Sequence, residues 1–253
     1  MGHAHTTGVL HWSRITKVID PIEITGMTSV QISQYKEAER LISQWREIGK
    51  SASKLLYSAR EGIAGIDWFD HRHHLLNPPV EFLDFCMISG TNVVSRIPID
   101  GAVLDLCCGD GFYDYYFYRH KAKHILGIDI NPRAIALAKR EHAAPNIEYI
   151  LGDVMSYPIT SGKYDTVICR GAIEHFTENE QSILMGRISD ALKSGGWFCG
   201  DTVTPQGDNE AHKHEWTCEG DMIEVLKTTF HNIQTSTVIS RERTTLLWRC
   251  QNK

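Results

Sequence analysis

Residues 98–203 alternate between two hydrophobic periods, and that alternation restricts the architecture more than any other feature of the chain. Apolar runs of strand length occupy 102–106, 125–129, 147–151, 165–169 and 197–203. Between them, segments near 112–121, 132–142 and 179–193 carry apolar residues at helical spacing. Parallel neighbours in a sheet need a long crossover connection, usually a helix, so strand–helix alternation implies a parallel sheet with helices on both faces. Gly195-Gly196 are expected to end the last of these helices, where a left-handed residue is favoured. A helix is expected near 219–229. The β-rich runs 232–240 and 243–250, joined by a short polar link, then read as an antiparallel terminal hairpin. The expectation is an α/β chain with a seven-stranded, mostly parallel sheet.

The chain before this region reads differently. Ile32, Tyr35, Leu41, Ile42, Trp45 and Ile48 recur at helical spacing up to Gly49, and Ala52, Leu55, Leu56 and Ala59 continue in a second helix. In GIDWFDHRHHLLNPPVEFLDF, Asn77 reads as an N-cap, Pro78 as the first helical position and Gly90 as the residue past the end. Two parts follow, a helical segment over 1–97 and an α/β core over 98–253. At 253 residues the chain is long enough to bury a substantial core. The formal net charge of −5 argues against a general pull towards nucleic acid or an anionic membrane. Lys36, Arg40, Arg46, Lys50, Lys54 and Arg60 are interleaved with Glu37, Glu39, Glu47 and Glu61, as on a solvated helix face. No apolar run is long enough for a membrane span, and the N-terminus lacks the basic start and apolar core of a secretion signal. Seven cysteines form no framework spacing and no CxxC, which suggests reduced thiols and a cytoplasmic location.

The chemistry centres on VLDLCCGDG at 103–111. A strand that runs into a glycine turn and then a helix is suited to a small molecule, because glycine lets the backbone approach and the helix start offers free N–H groups. The glycine spacing is not the GxGxxG of a dinucleotide site. Asp105 before the turn and Asp110 within it would repel a pyrophosphate. A ligand with a cationic centre and no phosphate fits better.

VLDLCCGDG resembles motif I of the class I S-adenosylmethionine (SAM)-dependent methyltransferases, an acid followed by a G-x-G-x-G turn, with Cys107 standing for the first glycine beside Gly109, Asp110 and Gly111. GIDINPRAIALAKR resembles the next motif. It places Asp129, 24 residues after Asp105, for the ribose hydroxyls and Ile130 for the adenine. IEYILGDVMSYPI resembles the third, which implies Asp153 at the adenine amino group and Val154 beside it. YDTVICRGAIEHF, with Arg170, resembles the fourth, the strand end that faces the transferred methyl. ALKSGGWFCGD resembles the helix-turn-strand that follows. The resemblance covers roughly 98–203 and, through the hairpin, extends to the C-terminus. It implies a Rossmann-like fold, S-adenosylmethionine as cofactor, and an N-terminal helical lid containing Trp68, Phe69, His71, Arg72, His73 and His74.

Motif IV reads CRGAIEHF and not the (D/N)PP(Y/F) run of enzymes that methylate nucleic-acid amino groups. A hydroxyl acceptor must lose a proton, which gives a positioned base a task. His175, next to Glu174, is the candidate base. EAHKHEWTCEGDMIEVL adds a second cluster with His212, His214, Glu215 and Trp216, of which His214 is taken as a catalytic candidate. This stretch resembles ubiquinone-pathway O-methyltransferases and small-RNA 2′-O-methyltransferases, in which Glu-x-x-Glu-His and a later histidine can hold a divalent metal. Gly171 stands where that motif has its first Glu, so no metal is assigned. The expected activity is methylation of a hydroxyl on a small polar acceptor, such as a sugar or natural product. RNA ribose 2′-O-methylation and SAM binding without transfer are the alternatives.

Overall fold

The computed structural model describes residues 80–253, apart from 206–208 and 240–243, together with Ser33, Lys36, Glu37, Arg40, Leu41 and Gln44. Those six positions are helical, within the first helix expected from the sequence, and Arg40 pairs with Glu37 on its exposed face. The second expected helix, the Asn77-Pro78 start and the aromatic and histidine cluster at 68–74 lie outside the described residues. The chain divides into two compact units, His11–Leu83 and Asp84–Lys253, the latter also taking in Met1–Leu10. Every strand among the described residues belongs to the second unit.

That unit holds a seven-stranded sheet in the order β3-β2-β1-β4-β5-β7-β6. The strands are β1 (Gly101–Leu106), β2 (Ala122–Asp129), β3 (Ile147–Leu151), β4 (Tyr164–Arg170), β5 (Leu192–Val203), β6 (His231–Ile239) and β7 (Thr244–Gln251). β1 pairs in parallel with β2 and β4, β2 with β3, and β4 with β5. β7 runs antiparallel to both β5 and β6. The parallel sheet and the terminal hairpin are therefore as the alternation implied. The chain reverses its direction of winding at β1, which has β2 on one side and β4 on the other. In an open α/β sheet that reversal opens a crevice beyond the carboxyl ends of the strands.

Local signals account for the helices. Asn131 caps Pro132–Glu141 by accepting from the N–H groups of Arg133 and Ala134, and Pro132 takes the first turn. Ala134, Ile135, Leu137 and Ala138 form its buried face. Glu178–Ala191 begins with a capping box between Thr177 and Glu180. Its Leu184, Met185 and Ile188 join Leu104, Val167 and Phe198 in the main core, which also takes in Trp216, Trp248 and Phe230. Each large apolar side chain buried there stabilises the fold by about 1.5–3 kcal/mol.

Three local expectations are corrected. Gly90 does not end its helix, which runs on to Val94. A Cβ at this position would lie 2.4 Å from a ring carbon of Phe117, so the glycine permits close packing and does not stop the helix. Gly195 and Gly196 do not close the helix before them, which ends at Ala191. They lie inside β5, where the pairing with β4 shifts register and Gly195 takes φ +71°. The helix expected near 112–121 is present but shorter: Phe112 and Tyr113 open it and Asp114–Tyr118 continue it as a π-type turn, in which Asp114 and Tyr118 are wholly buried.

Candidate active site

The turn after β1 bends through three left-handed residues, Cys107 (φ 60°), Gly109 (φ 57°) and Gly111 (φ 71°). Cys107 adopts a conformation that costs a residue with a side chain about 1–2 kcal/mol. Gly111 has no such freedom to vary, since a Cβ there would lie 2.2 Å from the hydroxyl of Tyr149. That hydroxyl donates to the Gly111 carbonyl at 3.2 Å. The turn is thus pinned from beneath by β3.

Asp129, at the end of β2, pins it from the side. One carboxylate oxygen accepts from Gly109 N–H at 2.9 Å and the other from Asn131 N–H at 2.8 Å. Burial raises its pKa, against the lowering effect of these backbone donors. Beside it Ile130 is 69% exposed and Leu151, at the end of the neighbouring β3, is 54% exposed. Two large apolar side chains are thus left open next to a buried acid. Asp153 is exposed, accepting from Met155 N–H at 2.8 Å. Val154 is instead buried in the main core, where its carbonyl accepts from Arg187.

Asp105 and Asp110 face inward. Asp110 is wholly buried and accepts from Phe112 N–H at 3.1 Å, while its carbonyl accepts from His142 Nδ1 at 2.6 Å. Asp105 is almost wholly buried, and burial pushes its pKa up to about 7 despite the opposing charge of Arg170. Its buried neighbour is Asp114, which carried no signal in the sequence. Asp114 is wholly buried, and burial followed by the charge of Asp105 raises its pKa well above the usual carboxylate range.

Arg170 ends β4 and supplies the compensating charge. Its Nε donates to Asp201 at 2.6 Å and to Ser89 Oγ at 2.8 Å, and its guanidinium lies 3.4 Å from the centre of the Tyr113 ring. Ser89 in turn donates to Asp201 at 2.5 Å. Ser89 carried no motif signal, and Asp201 ends the ALKSGGWFCGD motif, which assigns it no role. Arg170 is thus tied to the scaffold by these partners.

Beyond β4 the chain forms a short 3₁₀ turn, Ile173–His175. Glu174 is buried, with its pKa raised by that burial, and its carboxylate accepts from Thr202 Oγ1 at 2.8 Å. The segment before Glu219 docks on this turn. Lys213 and His214 N–H groups donate to the Glu174 carbonyl at 2.8 and 3.3 Å, and Gln181 Nε2 donates to the His214 carbonyl at 2.8 Å. His214 is thus anchored beside Glu174 by its backbone. The ring that joins the cluster is that of His212, whose centre is 5.0 Å from that of His175. Glu174, His175 and His212 each present one ligand atom within 4.8 Å of the others, so they could hold a metal ion. His212 is also hydrogen-bonded to Glu215. His175 Nδ1 lies 2.9 Å from the Ala211 carbonyl. A carbonyl only accepts, so Nδ1 carries the proton and neutral His175 keeps Nε2 as a proton acceptor.

A parallel sheet reversing at β1, a glycine turn there and acids at successive strand ends define a Rossmann-like fold of the class I SAM-dependent methyltransferases, whose cofactor is S-adenosylmethionine. Residues 103–196 match a family model described as a methyltransferase domain, and the chain carries that domain. The demethylmenaquinone methyltransferase of Lactococcus lactis is 31% identical over 100 residues, 38% of this chain and 39% of that protein. The tRNA U34 carboxymethyltransferase of Nautilia profundicola is 30% identical over 112 residues, 43% of this chain and 36% of that one. The chain thus matches well under two thirds of the length of either relative. Among solved structures, the N-methyltransferase NodS of Bradyrhizobium japonicum, in complex with S-adenosyl-L-homocysteine, superposes with a TM-score of 0.59. It is 16% identical, and the match covers 78% of this chain and 97% of that one.

Proposed function

We propose that the chain is a SAM-dependent methyltransferase acting on a hydroxyl of a small polar acceptor, with His175 as general base. The cofactor would be held by Asp105, Cys107, Gly109, Asp110, Gly111, Asp129, Ile130, Asp153, Val154 and Arg170, in two roles. Asp129, Ile130, the turn backbone and the exposed Asp153 would touch it. Asp105, Asp110 and Val154 are buried, Arg170 is nearly so, and these would shape the site from beneath. When bound, the cofactor supplies an electrophilic methyl on a sulfonium. Orientation is the chain's main contribution, worth up to about 7–11 kcal/mol in well-aligned displacements.

The observation that carries the acceptor assignment is the tautomer of His175. Its Nδ1–H is engaged by the Ala211 carbonyl and its Nε2 is left to take a proton. An amine acceptor can lose its proton after transfer, whereas a hydroxyl gains from a base during it, typically by about 10²–10⁴-fold. Glu174 and His214 complete the proposed catalytic group as positioning residues, through the Thr202 bond and the docked 211–214 backbone. The proposed lid role of 1–97 rests on the resemblance alone. Among the described residues no helix is long and apolar enough to cross a membrane. All seven cysteines are free, which supports a proposed cytoplasmic location.

Purified full-length protein incubated with methyl-labelled SAM and separate pools of hydroxylated small molecules, amines and RNA tests the reading. Label is expected in the hydroxylated pool. Label confined to amines overturns the hydroxyl assignment, and label in RNA ribose favours the second reading, for which the tRNA-modifying relative is the motive. Binding of S-adenosylhomocysteine without any transfer leaves a SAM-binding protein that is not an enzyme.

A further inference from the structure

At the opposite end of the strands lies a pocket of about 430 Å³ with an unbalanced charge. Three cations line it, Arg96, Lys121 and Lys193, against one acid, Asp165. The carboxylate of Asp165 is already engaged, with Lys193 Nζ 2.8 Å from both of its oxygens and the N–H of Ala102 donating to it at 2.8 Å. Arg96 is held in place, its guanidinium 4.2 Å from the centre of the Trp197 ring and one terminal nitrogen donating to Gln234 at 2.7 Å. Lys121 is fixed by its bond to the Val94 carbonyl at 2.8 Å. Just outside, Arg249 feels the same excess. Burial first and then the charge of Arg96 lower its pKa.

The wall facing these cations follows from the irregular start of β5. The register shift against β4 lifts Lys193 to Gly196 out of the ladder. Ser194 and Gly195 are thereby exposed at the rim. A recess lined by three cations and one acid in a chain of net charge −5 is poorly explained by solubility. A guanidinium fork flanked by two ammonium groups suits a phosphate, which Arg meets with paired donors and Lys meets as a point charge. The pocket is separated from the glycine turn by the length of β1, about 20 Å at about 3.3 Å per residue.

We propose that this pocket binds a phosphate-bearing small molecule at a second site, independent of the cofactor turn. The probe is inorganic pyrophosphate, titrated calorimetrically into the full chain, with citrate as a non-phosphate anion of comparable charge. Saturable one-to-one binding of pyrophosphate, stronger than that of citrate, is expected. Lys121→Gln and Lys193→Gln should each weaken it by about 10- to 100-fold, the worth of a hydrogen bond to a charged group. Arg96→Gln also removes the contact with Trp197, so the two lysine variants decide the matter if it fails to fold. Titration with S-adenosylhomocysteine should be unchanged in all folded variants, because the sites are separate. The exposed Lys123→Gln is the control for general charge. No saturable pyrophosphate binding, equal binding of citrate, or equal weakening by Lys123→Gln would each overturn the assignment.

Discussion

Asp114→Asn tests the buried acid pair beneath the glycine turn. Asp114 is wholly buried, and burial with the neighbouring Asp105 pushes its carboxyl well above the usual range. Its carboxyl keeps its proton to higher pH in the folded chain than in the unfolded chain, where it ionises near pH ~4. The native state thus binds a proton that the unfolded state releases. Stability from this group is complete below the unfolded pKa and is lost as pH rises towards the folded one. Between the unfolded and folded pKa values one proton is worth about 1.4 kcal/mol per pH unit. Asparagine keeps the shape but carries no such proton. Urea unfolding of wild type and variant at pH 5, 6 and 7 should give stability curves that diverge in the variant's favour as pH rises, by up to about 1.4 kcal/mol per pH unit. Parallel curves would refute the raised pKa of Asp114.

Further predictions concern the site above it. Asp129→Ala should weaken S-adenosylhomocysteine binding by about 1.5–3 kcal/mol in calorimetry, the worth of hydrogen bonds to a charged group; unchanged affinity in a folded variant would remove Asp129 from the cofactor site. His175→Ala should lower kcat by about 10²–10⁴-fold with cofactor affinity nearly unchanged. His175→Asn can retain the bond to Ala211 and should be equally inactive, so an active Asn variant would make His175 a scaffold residue. Turnover should survive EDTA, because Gly171 removes a carboxylate; loss of activity restored by manganese would instead make Glu174, His175 and His212 metal ligands. Gly111→Ala should lower thermal stability, since its Cβ would meet the Tyr149 hydroxyl at 2.2 Å and φ is +71°; an unchanged melting temperature would mean that the turn relaxes freely.

The layered sheet, its parallel core and its terminal hairpin were legible in the sequence by itself, because strand and helix each impose a local period on the apolar residues. So was the strand end at Asp129 with the helix start after it, since a strand end followed by Asn131-Pro132 is a local signal and the structure caps that helix with Asn131. What the sequence does not contain is the partner of a buried charge. Asp105 could be read as an acid before a turn, but not that Asp114 is buried beside it, nor that Arg170 is held by Asp201, 31 residues away, and by Ser89, 81 residues away. Gly90 and Gly195-Gly196 show the same limit. A glycine signals either a helix end or a close approach, and only Phe117 in one case and the shifted β4–β5 register in the other decide which. The histidines show it again, for His212 and His214 are equivalent by spacing. The bonds of the 213–214 backbone N–H groups to the Glu174 carbonyl accompany the packing of the His212 ring against His175. Periodicity is local and survives in one dimension, whereas electrostatic compensation and close packing join residues that are neighbours only after the chain has folded.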